Sequence, residues 1–205
     1  MISRDIYLKM MKKYGDVASW AVWADEGLKP KSNMAIVGMF DLQSNPSILD
    51  VLTNKVVMIG LNFSRPLIPV KPFLNFHDAN RSANDFKIRY AFMGTPYWGA
   101  YMTDVIKNEV VIDSKQLIKY LREHPDLIQK NIASLQIELS DLKADRPIIL
   151  AFGMRTYRLL KKYLSENDYS VLIRLTHYSH QISKENFKID VLTQISSALS
   201  NQNIY

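Results

Sequence analysis

The sequence predicts a three-layer α/β/α protein with a central, mostly parallel sheet of four or five strands, and three observations carry that expectation. Val56-Val57-Met58-Ile59-Gly60 and Val171-Leu172-Ile173-Arg174-Leu175 are short apolar runs of the kind that buried strands need. Each runs on into polar residues: Asn62 and Ser64 after the first, His177 and Ser179 after the second. A third run, Ile148-Ile149-Leu150-Ala151-Phe152-Gly153, passes directly into a helical pattern, and strand and helix patterns alternate through the second half of the chain. Open α/β sheets bind ligands at the carboxyl ends of their strands. Asn62 and His177, more than a hundred residues apart, are therefore expected to face one pocket.

Taken in order, the segment through Tyr14 reads as a helix with Ile6, Met10 and Met11 near one face, stopped by Gly15-Asp16. Trp20, Val22 and Trp23 are strand-like. Lys29-Pro30-Lys31-Ser32-Asn33 is turn chemistry, with a short strand or helix expected around Ala35 to Phe40 and a short helix from Asn45 through Leu52. Pro66, Pro69 and Pro72 remove backbone donors and fix φ, which predicts an ordered loop between Arg65 and Arg89. Gly94 to Gly99 is a glycine-bounded aromatic turn leading into a strand over Ala100 to Lys107. Asp113-Ser114 offers a cap for the clearest helical region, Lys115 to Leu142, which Pro125 splits. Helices are expected over Met154 to Leu164 and Phe187 to Leu199. The whole chain, 1–205, reads as a single domain, with residues 1–50 a helical and irregular extension packed on it.

Composition narrows the chemistry. With 47% apolar and 22% charged residues the chain is that of a globular protein, and the absence of cysteine excludes disulfides, thiolate metal sites and a cysteine nucleophile. No signal-peptide core and no apolar run near the roughly 18 residues of a membrane helix is present, so a cytoplasmic location without membrane attachment is expected. A formal charge of +6 is compatible with a polyanionic partner.

Across Val56 to Leu199 the landmarks resemble the uracil-DNA glycosylase superfamily in motifs and order. Gly60-Leu61-Asn62-Phe63-Ser64 looks like the family's first motif, a strand followed by Gly-x-Asn-Pro, with Phe63 in place of proline. Tyr101-Met102-Thr103-Asp104-Val105-Ile106-Lys107 is similar to the aromatic strand ending in Thr-Asn and a lysine, with Asp104 where the asparagine stands. Leu150-Ala151-Phe152-Gly153-Met154-Arg155-Thr156 resembles the strand–Gly–helix unit. His177-Tyr178-Ser179-His180-Gln181-Ile182 resembles His-Pro-Ser-Pro and the wedge residue after it, without either proline.

The resemblance implies a uracil-DNA glycosylase-like fold and a monomer that needs no cofactor, binds DNA and extrudes a deaminated or damaged base for hydrolysis. His177 would donate to the departing base and Asn62 would hold the water. Asn62 cannot be a strong general base, since its amide takes no proton near neutral pH. One of Phe63, Phe73 and Phe76, with Phe76 preferred, would stack on the base, with Phe63 and Asp104 beside it; the plainer reading is a ring packing its loop onto the core. Ser64, Ser179, His180, Gln181 and Arg155 would contact the DNA, with Gln181 or Ile182 as the wedge and Arg158, Lys161 and Lys162 adding backbone affinity. Simple helix or loop capping is the plainer role for Ser64, Ser179 and Asp104.

Three other readings stand beside this one. A superfamily member that has lost catalysis would act as a nucleic-acid or protein binding module, as the missing motif prolines and Asn62 suggest. A metal site from His77, Asp78, His177 and His180 lacks a helical His-Glu-x-x-His context. A small-molecule hydrolase on a different α/β fold would also accommodate the Asn62 and His177 pocket, although Ser64 or Ser179 as an acyl nucleophile with a histidine base lacks the Gly-x-Ser-x-Gly elbow. Neither a Walker A sequence nor a Gly-x-Gly-x-x-Gly turn is present, which disfavours nucleotide and dinucleotide functions.

Overall fold

β2 (Thr53–Asn62) is the longest strand and the centre of a five-stranded mixed sheet, because its run from Val56 to Leu61 is buried on both faces. The computed structural model describes residues 2–23, 38–62, 72–77, 83–107 and 114–200. β3 (Ala100–Ile106) pairs with β2 in parallel on one side, in a register that sets Gly60 opposite Asp104 and Asn62 opposite Ile106. β4 (Ile148–Phe152) pairs in parallel on the other side, and β5 (Val171–Leu175) pairs in parallel with β4. β1 (Ser19–Trp20) closes the far edge antiparallel to β3, so the order is β1-β3-β2-β4-β5. The chain leaves β2 toward β3 and leaves β4 toward β5. Adjacent strands with departures in opposite directions form a topological switch point, and the crevice lies between the carboxyl ends of β2 and β4.

Side chains alternate across the sheet with period two. Val57, Ile59, Leu61, Tyr101, Val105 and Ile149 enter one apolar cluster with α1 (Arg4–Tyr14), α4 (Ser114–Glu123), α5 (Pro125–Asp141) and α6 (Met154–Tyr163). Val56, Met58, Met102, Leu150 and Phe152 enter the other with α3 (Phe86–Phe92) and α7 (Lys184–Ser200). The short α2 (Ile48–Val51) precedes β2. Helices thus cover both faces, as the alternation of strand and helix patterns predicts. No described helix is long and apolar enough to cross a membrane.

Local chemistry explains most element ends. Ser3 caps α1 by accepting the Ile6 N–H, and Pro125 occupies the first turn of α5, where its missing N–H costs nothing. On the first face the fully buried Glu138 of α5 accepts from Tyr101 (2.7 Å) and Thr103 (2.9 Å) and pairs with Lys107 at 2.6 Å. Both hydrogen bonds fall on Oε1 and the Lys107 ammonium faces Oε2, so each carboxylate oxygen has a partner, which is what makes such a buried ion pair tolerable.

The differences from expectation are local. β1 stops at Trp20, where Val22 N–H turns back to the Trp20 carbonyl, so Val22 and Trp23 do not extend it. The expected loop between Arg65 and Arg89 includes the start of α3, a helix of seven residues whose Lys87 and Arg89 are both buried. Instead of only packing on the domain, the N-terminal segment contributes β1 to the sheet itself. Most of the Ala35 to Phe40 segment, the Asp113 cap, Asp78, Phe63 and Ser64 lie outside the described residues.

Candidate functional site

The switch-point crevice is lined from four directions. β2 brings Gly60 and Asn62 to the face that carries Phe152 and Met102, and Asn62 ends the strand half-buried. A Cβ on Gly60 would collide with Asp104 Oδ1 and lie 3.4 Å from the Phe76 ring, so the absence of a side chain is what lets both neighbours cover this strand. Asp104 is 3% exposed. Its Oδ2 accepts from Asn75 Nδ2 at 3.0 Å. Burial pushes its carboxyl up to about 7, against the hydrogen bond from Asn75 and the charge of Lys107, which favour the ionised form.

Phe76 reaches the crevice through a strained turn. Phe73 and Phe76 have φ of 64° and 66°, a left-handed conformation that costs a bulky residue about 1–2 kcal/mol. Bonds to the N-terminal segment hold it there: Phe73 N–H donates to the Gly15 carbonyl, Ser19 Oγ to the Phe73 carbonyl at 2.6 Å, and Asn75 Nδ2 to the Val17 carbonyl at 2.8 Å. The buried Phe76 ring meets Tyr178 edge-on at 6.4 Å, and Tyr178 meets Phe152 at 5.4 Å. Loop packing and the lining of the crevice are therefore one and the same contact for Phe76.

His177 follows β5 by two residues and is fixed on every side. Thr176 before it exchanges two hydrogen bonds with Gln194 of α7, at 2.8 and 2.9 Å. After it, the buried Lys87 ammonium donates to the His180 carbonyl at 2.8 Å and pins the loop to α3. The imidazole stacks on Tyr178 at 4.4 Å, and its Cδ2 lies 3.3 Å from where a Cβ on Gly153 would stand. Gly153, at φ 87°, is both the N-cap of α6 and the space the ring needs. Burial lowers the His177 pKa to about 4, so the ring is neutral at pH 7. Its Nδ1 accepts from the Ser179 backbone N–H at 3.1 Å, with the Ser179 hydroxyl at 2.8 Å. A neutral ring whose Nδ1 accepts must carry its proton on Nε2, which makes it a hydrogen-bond donor there.

The site residues expected from sequence thus divide. Asn62, Phe76, Asp104 and His177 lie at the carboxyl end of the parallel sheet, on strands β2 and β3 or the segments that follow β2 and β5. Ser179, His180 and Gln181 are exposed in the loop after β5, while Ile182 packs partly into the core; Arg155 is exposed in the first turn of α6. His77 is buried elsewhere, 4.7 Å from the Trp23 ring, and among the described residues no trio of His, Asp or Glu is placed to hold a metal ion. Ser179 does bond to His177, but an imidazole of such low basicity takes a proton from a hydroxyl poorly. Asn75, Lys87 and Tyr178 carry the geometry without a signal in the sequence: an asparagine between two phenylalanines, a lysine in a polar stretch and a tyrosine at a motif's proline position.

Burial, followed by the negative charges of Asp85 and Asp104, holds the Tyr178 phenol well above its usual range. Aromatic rings and the Asp104 carboxyl thus lie near the carboxyl ends of β2 and β3, and a neutral N–H donor stands after β5. Comparison with protein-family models, with curated proteins and with solved structures finds no match.

Proposed function

We propose that the chain is a uracil-DNA glycosylase-like protein that binds DNA and hydrolyses the N-glycosidic bond of an extruded, damaged base. The observation that carries this reading is His177: a neutral imidazole with its proton on Nε2, held beside the switch-point crevice whose other lip ends in Asn62. A departing base needs a donor where electron density collects, and a neutral donor built into the fold requires no rearrangement during the reaction. Asn62 orients water without deprotonating it, which predicts slow turnover and a good leaving group. The exposed Ser179, His180, Gln181 and Arg155 supply contacts to the DNA backbone.

Release of uracil or hypoxanthine from labelled oligonucleotides, by the intact chain and by its Asn62→Ala and His177→Ala variants, tests this reading. Release that drops at least a hundredfold in His177→Ala supports it. Salt-dependent DNA binding without cleavage of any lesion leaves a binding module in place of the enzyme. Failure to bind DNA at any salt concentration rejects both.

A further inference from the structure

We propose that the Lys87 ammonium is an anion site that receives a backbone phosphate of the DNA strand entering the crevice, with Lys184 and Lys188 continuing the path along the seam of α3 and α7. This inference rests on the glycosylase reading above and names the contact by which the same site would hold its DNA.

The first support is a contrast between two lysines. The side chain of Lys107 is buried, and its charge is answered by Glu138 at 2.6 Å. Lys87 is 6% exposed, yet its ammonium makes a single bond, to the His180 carbonyl at 2.8 Å, and no carboxylate among the described residues pairs with it. A carbonyl accepts one N–H and cancels no charge, so two of the three N–H groups and the whole positive charge are left for another partner. Burying an ammonium without a counter-charge is costly, and a methionine would fill the same space without that cost. Burial lowers the Lys87 pKa, as expected of a cation with no anion beside it.

The second support is where this charge lies. The carbonyl that Lys87 holds belongs to the loop after β5, in which Ser179, His180 and Gln181 are exposed and His177 stands three residues earlier. An anion bound by Lys87 therefore lies against the loop that carries the candidate donor to the base. A phosphodiester suits such a place, because it accepts charge-assisted hydrogen bonds and fixes a strand without reading its sequence.

The third support is a convergence of further cations. Lys184 opens α7 directly after the loop, and Lys188 follows one turn later. Both ammonium groups lie over the Tyr90 ring, at 4.6 and 5.5 Å from its centre. Tyr90 is three residues beyond Lys87 and so on the same side of α3. Two like charges drawn to one ring repel each other, and the exposed Glu185, 3.6 Å from Lys184, offsets little of that. A chain of phosphates running along the seam would relieve the repulsion.

The test measures binding of a short fluorescein-labelled single-stranded DNA by fluorescence anisotropy over a range of salt concentrations. It compares the intact chain with Lys87→Met and with Lys55→Met, which removes the same charge from the exposed amino end of β2. Lys87→Met, its fold verified by circular dichroism, is expected to bind about fivefold more weakly at roughly 0.1 M salt, with a salt slope smaller by about 0.7, the loss of one phosphate contact. Lys55→Met should bind as the intact chain does. A Lys87→Met variant no weaker than Lys55→Met overturns the inference. Weaker binding with an unchanged salt slope, the mark of a lysine that only braces its loop, overturns it too. Should Lys87→Met fail to fold, the combined Lys184→Gln and Lys188→Gln variant decides: a slope smaller by about 0.7 or more supports the path, and unchanged binding overturns it. His177-dependent base release together with intact DNA binding by Lys87→Met removes this inference alone, whereas absence of all DNA binding removes the glycosylase reading with it.

Discussion

Gly60 and Asp104 are register partners on β2 and β3, and the carboxylate of one lies over the bare Cα of the other. Any side chain at position 60 would occupy the space of Asp104 Oδ1 and crowd the Phe76 ring. Gly60→Ala should therefore destabilise the fold by about 1–3 kcal/mol, the usual cost of overpacking. Urea denaturation checks this. Addition of Asp104→Ala should return part of the loss, giving a coupling of at least about 0.5 kcal/mol between the two sites.

Asp104 also sets a pH dependence. Its folded pKa, about 7, lies above its unfolded value, so the folded state holds the proton more tightly. The associated stability is complete below about pH 4 and is lost as pH rises toward 7, amounting to a few kcal/mol at roughly 1.4 kcal/mol per unit. Urea midpoints measured from pH 4 to pH 8 should show this decline in the wild-type chain and a flatter profile in Asp104→Asn.

His177 has the opposite sign. Its folded pKa, about 4, lies below the unfolded value, so its contribution is present above about pH 6.5 and is lost as pH falls through 4. Nitrogen chemical shifts should report a neutral ring at pH 7 with the proton on Nε2. Ser179→Ala removes the hydroxyl but keeps the backbone N–H on Nδ1, so the same tautomer should persist.

The Lys87 ammonium holds the histidine loop by one hydrogen bond, to the His180 carbonyl. Lys87→Met retains the buried stem and removes that bond. Global stability should fall by no more than about 1.5–3 kcal/mol, the usual worth of a hydrogen bond to a charged group. The amide protons of Ser179, His180 and Ile182 should meanwhile exchange measurably faster.

Glu138 is the anchor of the opposite face, accepting from Tyr101 and Thr103 and pairing with Lys107. Glu138→Leu leaves the buried Lys107 charge unpaired, and a loss of about 3–5 kcal/mol is expected in thermal or chemical denaturation.

What could be read from the sequence follows physical lines. β2, β4 and β5 are legible because the runs Val56 to Leu61, Ile148 to Phe152 and Val171 to Ile173 are apolar, and α5 because Pro125 marks its first turn. The edge strand β1 is too short for a period to show, and α3 hides behind Lys87 and Arg89, which count as polar until tertiary contacts bury them. Asn62, Asp104 and His177 were visible as polar residues in or just after apolar runs. Phe76 stands out in the sequence as the preferred ring, but Asn75 and the strained turn that carries both do not show, because that turn is held by Gly15, Val17 and Ser19, more than fifty residues away.

The central claim is that the carboxyl ends of β2 and β5 close around one nucleobase, and mapping amide shifts during titration with a short oligonucleotide carrying a non-cleavable lesion analogue tests it most directly. The account predicts shifts centred on Gly60, Asn62, Gly153, His177 and Ser179, with an affinity that falls steeply as salt is raised. Shifts confined to α1 and α5 on the opposite face, or none at any concentration reached, would contradict it.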